Sequence, residues 1–184
     1  MAKIKESPFA HPFFAIMYNK VEDFNKTVSK VKSKYGEILA IGDEFKVIDF
    51  TDYYVKEFGE NLKKRFMILK NAVKIDNYYR TKIWSNELEY NLYDEWISDK
   101  RIINLDPGYF TPSKLILYST KNYSHRMYIN DGIYAEVTLI YEHNDYKFLP
   151  WTYPDYKWEK NIQFLKTYRN KIVEMSRDKN YSIY

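Results

Sequence analysis

Apolar residues change their spacing along this chain, and each change marks an element. Phe13 to Tyr18 is a short, nearly uninterrupted apolar run, which predicts a buried strand. Val21, Phe24, Val28, Val31 and Tyr35 then recur at steps of three and four before Gly36, predicting an amphipathic helix with a glycine stop. Ile38 to Ile41 and Phe45 to Phe50 read as strands joined by a hairpin at Gly42-Asp43. Residues 52–59 read as one or two helical turns, Arg65 to Leu69 as a strand, and Ile75 to Lys82 as a short helix. Trp84, Leu88, Tyr90 and Leu92 fall on alternate positions and predict a strand, as does the apolar stretch from Arg101 to Leu105. Asn130-Asp131-Gly132 is a hairpin signal between Met127 to Ile129 and Ile133 to Tyr141. A further turn at His143-Asn144-Asp145 returns the chain through Tyr146 to Leu149. After Pro154, the stripe Phe164, Leu165, Tyr168, Ile172, Met175 predicts a closing helix of about 20 residues.

This early β-α-β alternation followed by hairpins and a helix predicts an α+β fold. The expected form is a mixed, largely antiparallel sheet packed by two main helices, with an elaborated ferredoxin-like core the favoured version. With 184 residues and no repeat, linker or low-complexity tract, residues 1–184 read as one domain.

Composition alters this picture at three points. Aromatics make up 19% of the residues, twenty of them Tyr, so core and clefts alike must be lined with rings that carry hydroxyls. The absence of cysteine excludes disulfides, thiolate catalysis and thiolate metal sites, and with the many Lys and Glu residues suits a thermophile. No apolar stretch has the length of a signal peptide's core or of a membrane span, so a cytoplasmic protein without a membrane partner is expected. The net charge of +4, concentrated on the first and last helices, is the ordinary charge of solvated helix faces and only weakly suggests a nucleic-acid partner. Phosphate-binding glycine loops, the dinucleotide turn, HExxH and the GxSxG elbow are all missing.

Four segments hold polar residues that local structure does not demand. In DFTDYYVKEFGENL (49–62), Thr51, Asp52, Tyr53, Tyr54 and Glu57 are candidate ligand contacts, the structural alternative being a surface helix capped by Thr51 or Asp52. In NLDPGYFT (104–111), Asp106 follows a strand and precedes Pro-Gly, where it can be a catalytic acid or a turn residue. STKNYSHRMY (119–128) crowds Lys121, His125 and Arg126 together. Lys and Arg there can clamp a phosphate or carboxylate and His125 can move a proton near neutral pH, while packing of His125 on Tyr123 or Tyr128 is the alternative. Finally, Glu136 stands mid-strand with Tyr134 and Thr138 on its face and needs a partner such as Lys121, Arg126 or a metal. Asp155, in WTYPDY (151–156), is a ligand contact or the N-cap of the last helix. His11 and His143 read as structural.

On these segments, FTDYYVKEFGENL (50–62), NLDPGYFT (104–111), TKNYSHRMYINDGIYAEVTL (120–139) and WTYPDY (151–156), the chain resembles a bacterial family called domain of unknown function 4416. Phe58 stands where methionine is expected in most relatives. The resemblance spans nearly the whole chain and implies a small stand-alone cytoplasmic protein. It carries over no activity, cofactor or catalytic residue, and the GTP-binding label given to some relatives finds no P-loop here.

Two functions follow as expectations. In the first, the four segments converge on one cleft for a small phosphorylated or carboxylated molecule: His125 as acid/base, Lys121 and Arg126 as anion clamp, Glu136 or Asp106 as base or ligand of a hard cation such as Mg²⁺. In the second, basic helices and aromatics serve RNA binding or protein interaction without catalysis. The polar segments can also stabilise an oligomer.

Overall fold

A computed structural model describes residues 3, 4, 6–91 and 101–177. The apolar run extends further back than its pattern suggests, forming strand β1 (Phe9–Tyr18). Helix α1 (Val21–Tyr35) follows, with Glu22 and Asp23 in its first turn, Lys32 and Lys34 in its last, and Gly36 at φ +92° ending it. Both charge placements favour the helix dipole.

Strands β2 (Ile38–Ile41) and β3 (Phe45–Lys46) do not form the expected hairpin. Both pair instead with β4 (Lys63–Leu69), and the Gly42 N–H donates to the Phe66 carbonyl. Between β3 and β4 lies a short helix α2 (Val55–Phe58). After β5 (Val73–Lys74), the segment expected to be a strand is helix α3 (Arg80–Asn91), and the short helix expected at 75–82 is mostly its approach turn; Leu92 lies outside the described residues. The stripe Thr81, Lys82, Ser85, Leu88, Glu89 is buried at helical spacing, but most of it is polar, so hydrophobic pattern alone missed it. The rest is β6 (Ile103–Thr111), β7 (Lys114–Ser119), β8 (Met127–Asn130), β9 (Ile133–Glu142), β10 (Asp145–Phe148) and α4 (Glu159–Met175). Turns at Asp131-Gly132 and His143-Asn144, all at positive φ, join β8 to β9 and β9 to β10 as the sequence predicts.

These strands form one sheet in the order β10-β9-β7-β6-β1-β4-β2, and every pairing among the described residues is antiparallel. The fold is α+β. Within the sheet, β6-β1-β4-β2 together with α1 and α3 is a doubled split β-α-β unit, the ferredoxin-like arrangement, extended by β7, β9 and β10. Three long helices pack it rather than two. Phe24 and Val31 of α1 and Leu88 of α3 cover one face, against Phe14, Ile16, Met67 and Leu105. Ile162, Leu165 and Ile172 of α4 cover the other, against Phe13, Phe66, Phe110 and Leu139. Each fully buried side chain of this kind contributes about 1.5–3 kcal/mol.

Asp106 is not at a turn. It lies within β6, paired with Ala15, and the strand runs on through Pro107 and Gly108. A proline is tolerated there because β7 joins β6 only from Gly108 onward, so among the described residues the edge from Ile103 to Pro107 has no strand on its outer side. Leu105 shows what replaces the missing strand. Its N–H donates to Glu89 Oε1 at 2.7 Å and its carbonyl accepts from Lys82 Nζ at 3.1 Å, both from α3. The sheet is thus parted between β6 and β7.

Candidate ligand cavity

The parting of β6 from β7 opens a cavity of about 600 Å³, walled by segments from most of the chain. Three polar clusters and one lone cation surround it. Arg101 anchors the first cluster. Its guanidinium is forked onto both Glu57 oxygens at 2.6 and 3.1 Å and also donates to Glu89 (2.9 Å) and Asn104 (3.0 Å). Asn104 in turn donates to Asp106 Oδ2 at 2.8 Å, and Lys82 donates to Asp106 Oδ1 at 3.3 Å. Burial opposes ionisation of Asp106, but Lys82, Lys64 and the Asn104 amide outweigh it and hold the carboxyl below the ordinary range. Burial likewise raises the Glu89 carboxyl, against Lys82, the Leu105 N–H and Arg101.

The second cluster is a buried pair, Lys64 Nζ to Asp155 Oδ2 at 2.6 Å, with the ammonium also 4.7 Å from the centroid of the Tyr156 ring. Asp155 therefore does not cap the last helix. It sits in a 3-10 turn (Pro154–Lys157), and the helix begins after Trp158.

Glu136 centres the third. Its Oε2 accepts from Arg126 Nε at 2.7 Å and lies 3.1 Å from His125 Nε2, while Thr138 donates to its Oε1. Arg126 also donates to Ser119 Oγ and to the Tyr153 hydroxyl. The partner expected for Glu136 is thus Arg126. A register shift between Leu115 and Ile116 alters the face expected for β9: Leu139 packs toward α4, whereas Ile133, Ala135 and Val137 pack on the opposite side.

Around one cavity the structure brings Thr51, Tyr53, Tyr54, Glu57 and Asp106 together with Lys121, Arg126, Glu136 and Asp155. It leaves two candidates out. Asp52 is exposed and away from the wall, and neither it nor Thr51 caps α2, since the Thr51 hydroxyl accepts from the Tyr53 N–H instead. His125 bonds to Glu136, stacks on Trp151 at 5.1 Å and also meets the Tyr123 ring at 6.0 Å, as the packing alternative expected, and does not line the cavity. His11 is a buried strand residue bonded to the Leu69 carbonyl. Sequence reasoning missed Lys64, Lys82, Glu89, Arg101, Asn104 and Tyr153. Charges at buried positions of a strand and a helix were the available signal for the first three.

Among the described residues no three acidic or histidine side chains converge to hold a metal ion. Each cavity carboxylate faces a Lys or Arg instead, with one cation shared: Glu57 and Glu89 both meet Arg101, Asp106 has Lys82, Asp155 has Lys64 and Glu136 has Arg126. Lys121 differs. Its ammonium, at the exposed rim, meets the Tyr53 hydroxyl at 3.3 Å and the face of that ring, and among the described residues no carboxylate. Burial, followed by Asp106, raises the Tyr54 hydroxyl, and burial with Glu136 raises that of Tyr153, so both remain proton donors.

The depressed Asp106 pKa has a stability consequence. Folding favours its charged form, so the group adds stability above an unfolded pKa of about 3.9, and that increment disappears as pH falls through the lower folded value. Asp106→Asn should therefore lower the urea midpoint at pH 7, with the gap from the unsubstituted protein closing below about pH 4. An equal gap at pH 7 and pH 3 would refute the assignment.

The family model described as domain of unknown function (DUF4416) matches residues 8–172. No curated protein and no solved structure matches the chain. Among the described residues no helix is long and apolar enough to cross a membrane.

Proposed function

Because the chain belongs to the DUF4416 family, whose description assigns no activity, we propose from the cavity itself that this protein binds a small phosphorylated or carboxylated molecule, in the cytoplasm, as a binding protein or an enzyme. One observation carries this reading: four cations hold the five cavity carboxylates, while among the described residues the Lys121 ammonium at the rim touches none of them and is placed to meet an anion. A volume of about 600 Å³ suits a small organic ligand and is far too small for a folded partner. An anion about 4 Å from Lys121 gains roughly 4 kcal/mol at an effective dielectric of 20, before the cost of desolvation. The Tyr53 hydroxyl beside Lys121, and Arg126 deeper in, supply further donors. If the ligand is turned over, Asp106 is the half-buried carboxylate on the wall best placed to touch it.

Thermal-shift screening against inorganic phosphate, citrate, sugar phosphates and nucleotides tests this. A ligand at 100 times its Kd stabilises by about 2.7 kcal/mol, a midpoint rise of roughly 5–10 °C for a chain of this size. Lys121→Ala should abolish most of that rise while leaving the unliganded midpoint nearly unchanged, because the side chain is exposed. A full rise in the variant, or no rise with any of these compounds, would defeat the proposal.

A further inference from the structure

Four of the five N–H groups of Arg126 are spent within the chain. They donate to Glu136, to Ser119 Oγ at 2.7 Å, to the Lys121 carbonyl at 3.2 Å and to the Tyr153 hydroxyl at 3.0 Å. Arginine has no acceptor, so at Ser119 and Tyr153 the hydroxyl oxygen is what receives the bond. The Lys121 ammonium donates to the Tyr53 oxygen at 3.3 Å in the same sense, and the Lys121 backbone N–H also donates to Ser119 Oγ at 3.1 Å. Each of these three hydroxyls thus has its oxygen occupied by a donor, while its own hydrogen meets no acceptor among the described residues.

A ligand can reach them. Tyr53 is 66% and Tyr153 41% exposed, Ser119 is half-buried, and all three line the cavity with Lys121. They also lie close to one another. Ser119 and Tyr153 are bonded to the two terminal nitrogens of one guanidinium, so their oxygens are no more than about 8 Å apart. One tetrahedral anion accepting about 2.7 Å from each can bridge that gap. Burial, then Glu136, raises the Tyr153 hydroxyl, which therefore keeps its hydrogen at physiological pH.

We propose that Lys121, Tyr53, Tyr153 and Ser119 form a phosphoryl-binding site, so that the ligand of the cavity is a phosphate ester and not a carboxylate. This deepens the reading above and rests on it. The four side chains offer hydrogens only, and a ligand hydroxyl or ammonium that needs an acceptor finds none in this set. A phosphoryl group brings three terminal oxygens and close to two negative charges at pH 7. A carboxylate brings two oxygens in one plane and leaves part of the set unmet. The donors also come from three separate stretches of chain, around residues 53, 119–121 and 153, which suits a tetrahedral group better than a flat one. Arg126 is a positioning residue here: matched in charge by Glu136, it orients two of the hydroxyls by filling their oxygens.

The test is calorimetric titration of the full chain, of Tyr153→Phe and of Tyr53→Phe with inorganic phosphate, glycerol 3-phosphate and glycerate, the last carrying a carboxylate on a similar small polyol. In the unsubstituted protein glycerol 3-phosphate should bind at least tenfold more tightly than glycerate. Each variant keeps its ring and loses one donor to a charged group, so each should weaken glycerol 3-phosphate about tenfold. The unliganded thermal midpoint should stay within about 2 °C in both, because both side chains are exposed. A merely structural role would lower the midpoint and leave the preference between the two compounds unchanged. Glycerate binding as tightly as glycerol 3-phosphate would overturn the phosphoryl site and leave an anion site standing. A phosphate preference that survives in both variants would overturn the hydroxyl donors. If none of the three compounds binds, this proposal falls, and stabilisation by citrate in the thermal screen would be what sustains the broader reading.

Discussion

Glu136→Ala is expected to destabilise the protein by about 3–5 kcal/mol at pH 7, lowering the thermal midpoint by roughly 10 °C or more. The carboxylate is enclosed, with its side chain 1% exposed, and the Arg126 side chain that pairs with it is 4% exposed. Removing the acid leaves a buried guanidinium whose Nε has lost its acceptor, while His125 and Thr138 lose contacts to the same group. Arginine cannot escape by shedding its proton. A buried pair that is broken costs far more than the pair is worth when both members are replaced, so Glu136→Met with Arg126→Met should recover much of the loss. Urea or thermal denaturation of the two single variants and the double variant closes the cycle. A midpoint for Glu136→Ala within about 2 °C of the unsubstituted protein, roughly the shift given by 1 kcal/mol or less, would mean that water has replaced the carboxylate and that the enclosure is not as described.

The behaviour of Glu136 also shows what sequence can and cannot display. A carboxylate at an inward position of an alternating strand announces itself, because local structure offers it no partner, and the hunt for a cation ten residues upstream leads to Arg126. The same logic brings out Lys121 and the tyrosines at 53 and 54, which are polar residues concentrated in short segments. Lys82 and Glu89 escape it. Both lie on the buried stripe of α3, where a hydrophobic pattern is expected, and because that stripe is polar the helix itself read as a strand. Their burial makes sense only once β6, paired with β1 on one side, is seen to have no second strand beside residues 103–107 among the described residues and to need side chains to complete its backbone hydrogen bonds. That need is tertiary. It arises from the parting of two strands far from α3 in sequence, and no periodicity encodes it. The α+β class, α1, α4 and the two hairpins at positive-φ turns were legible because each depends on local spacing or turn chemistry. The Gly42-Asp43 hairpin does not form for a related reason: two strands on either side of a turn can both choose a third, and β4, long enough to meet β2 at one end and β3 at the other, takes both.

Gly108→Ala should be the most damaging small substitution in the chain, costing more than about 4 kcal/mol, at the exceptional end for a single change. The reason is proximity and not backbone conformation. A Cβ at residue 108 would stand 1.9 Å from the Ile116 carbonyl oxygen and 3.0 Å from Leu117 Cα, all backbone atoms of β7 that cannot rotate aside. Relief requires β6 and β7 to separate, and these strands carry Phe110, Leu115 and Leu117 into the core under α4. Separation there would also widen the parting that forms the cavity, since Gly108 faces Leu117 at the first rung where the two strands meet. Gly59→Ala is the natural control. Its φ of +81° with ψ −179° is a conformation nearly restricted to glycine, but nothing lies within 4 Å of the added atom, so it should cost about 1–3 kcal/mol. Urea midpoints of the two variants, or the soluble folded fraction if Gly108→Ala cannot be purified, make the comparison. If Gly108→Ala proves no worse than Gly59→Ala, the close approach of β6 to β7 does not constrain the fold, and the parting of the sheet would need another cause.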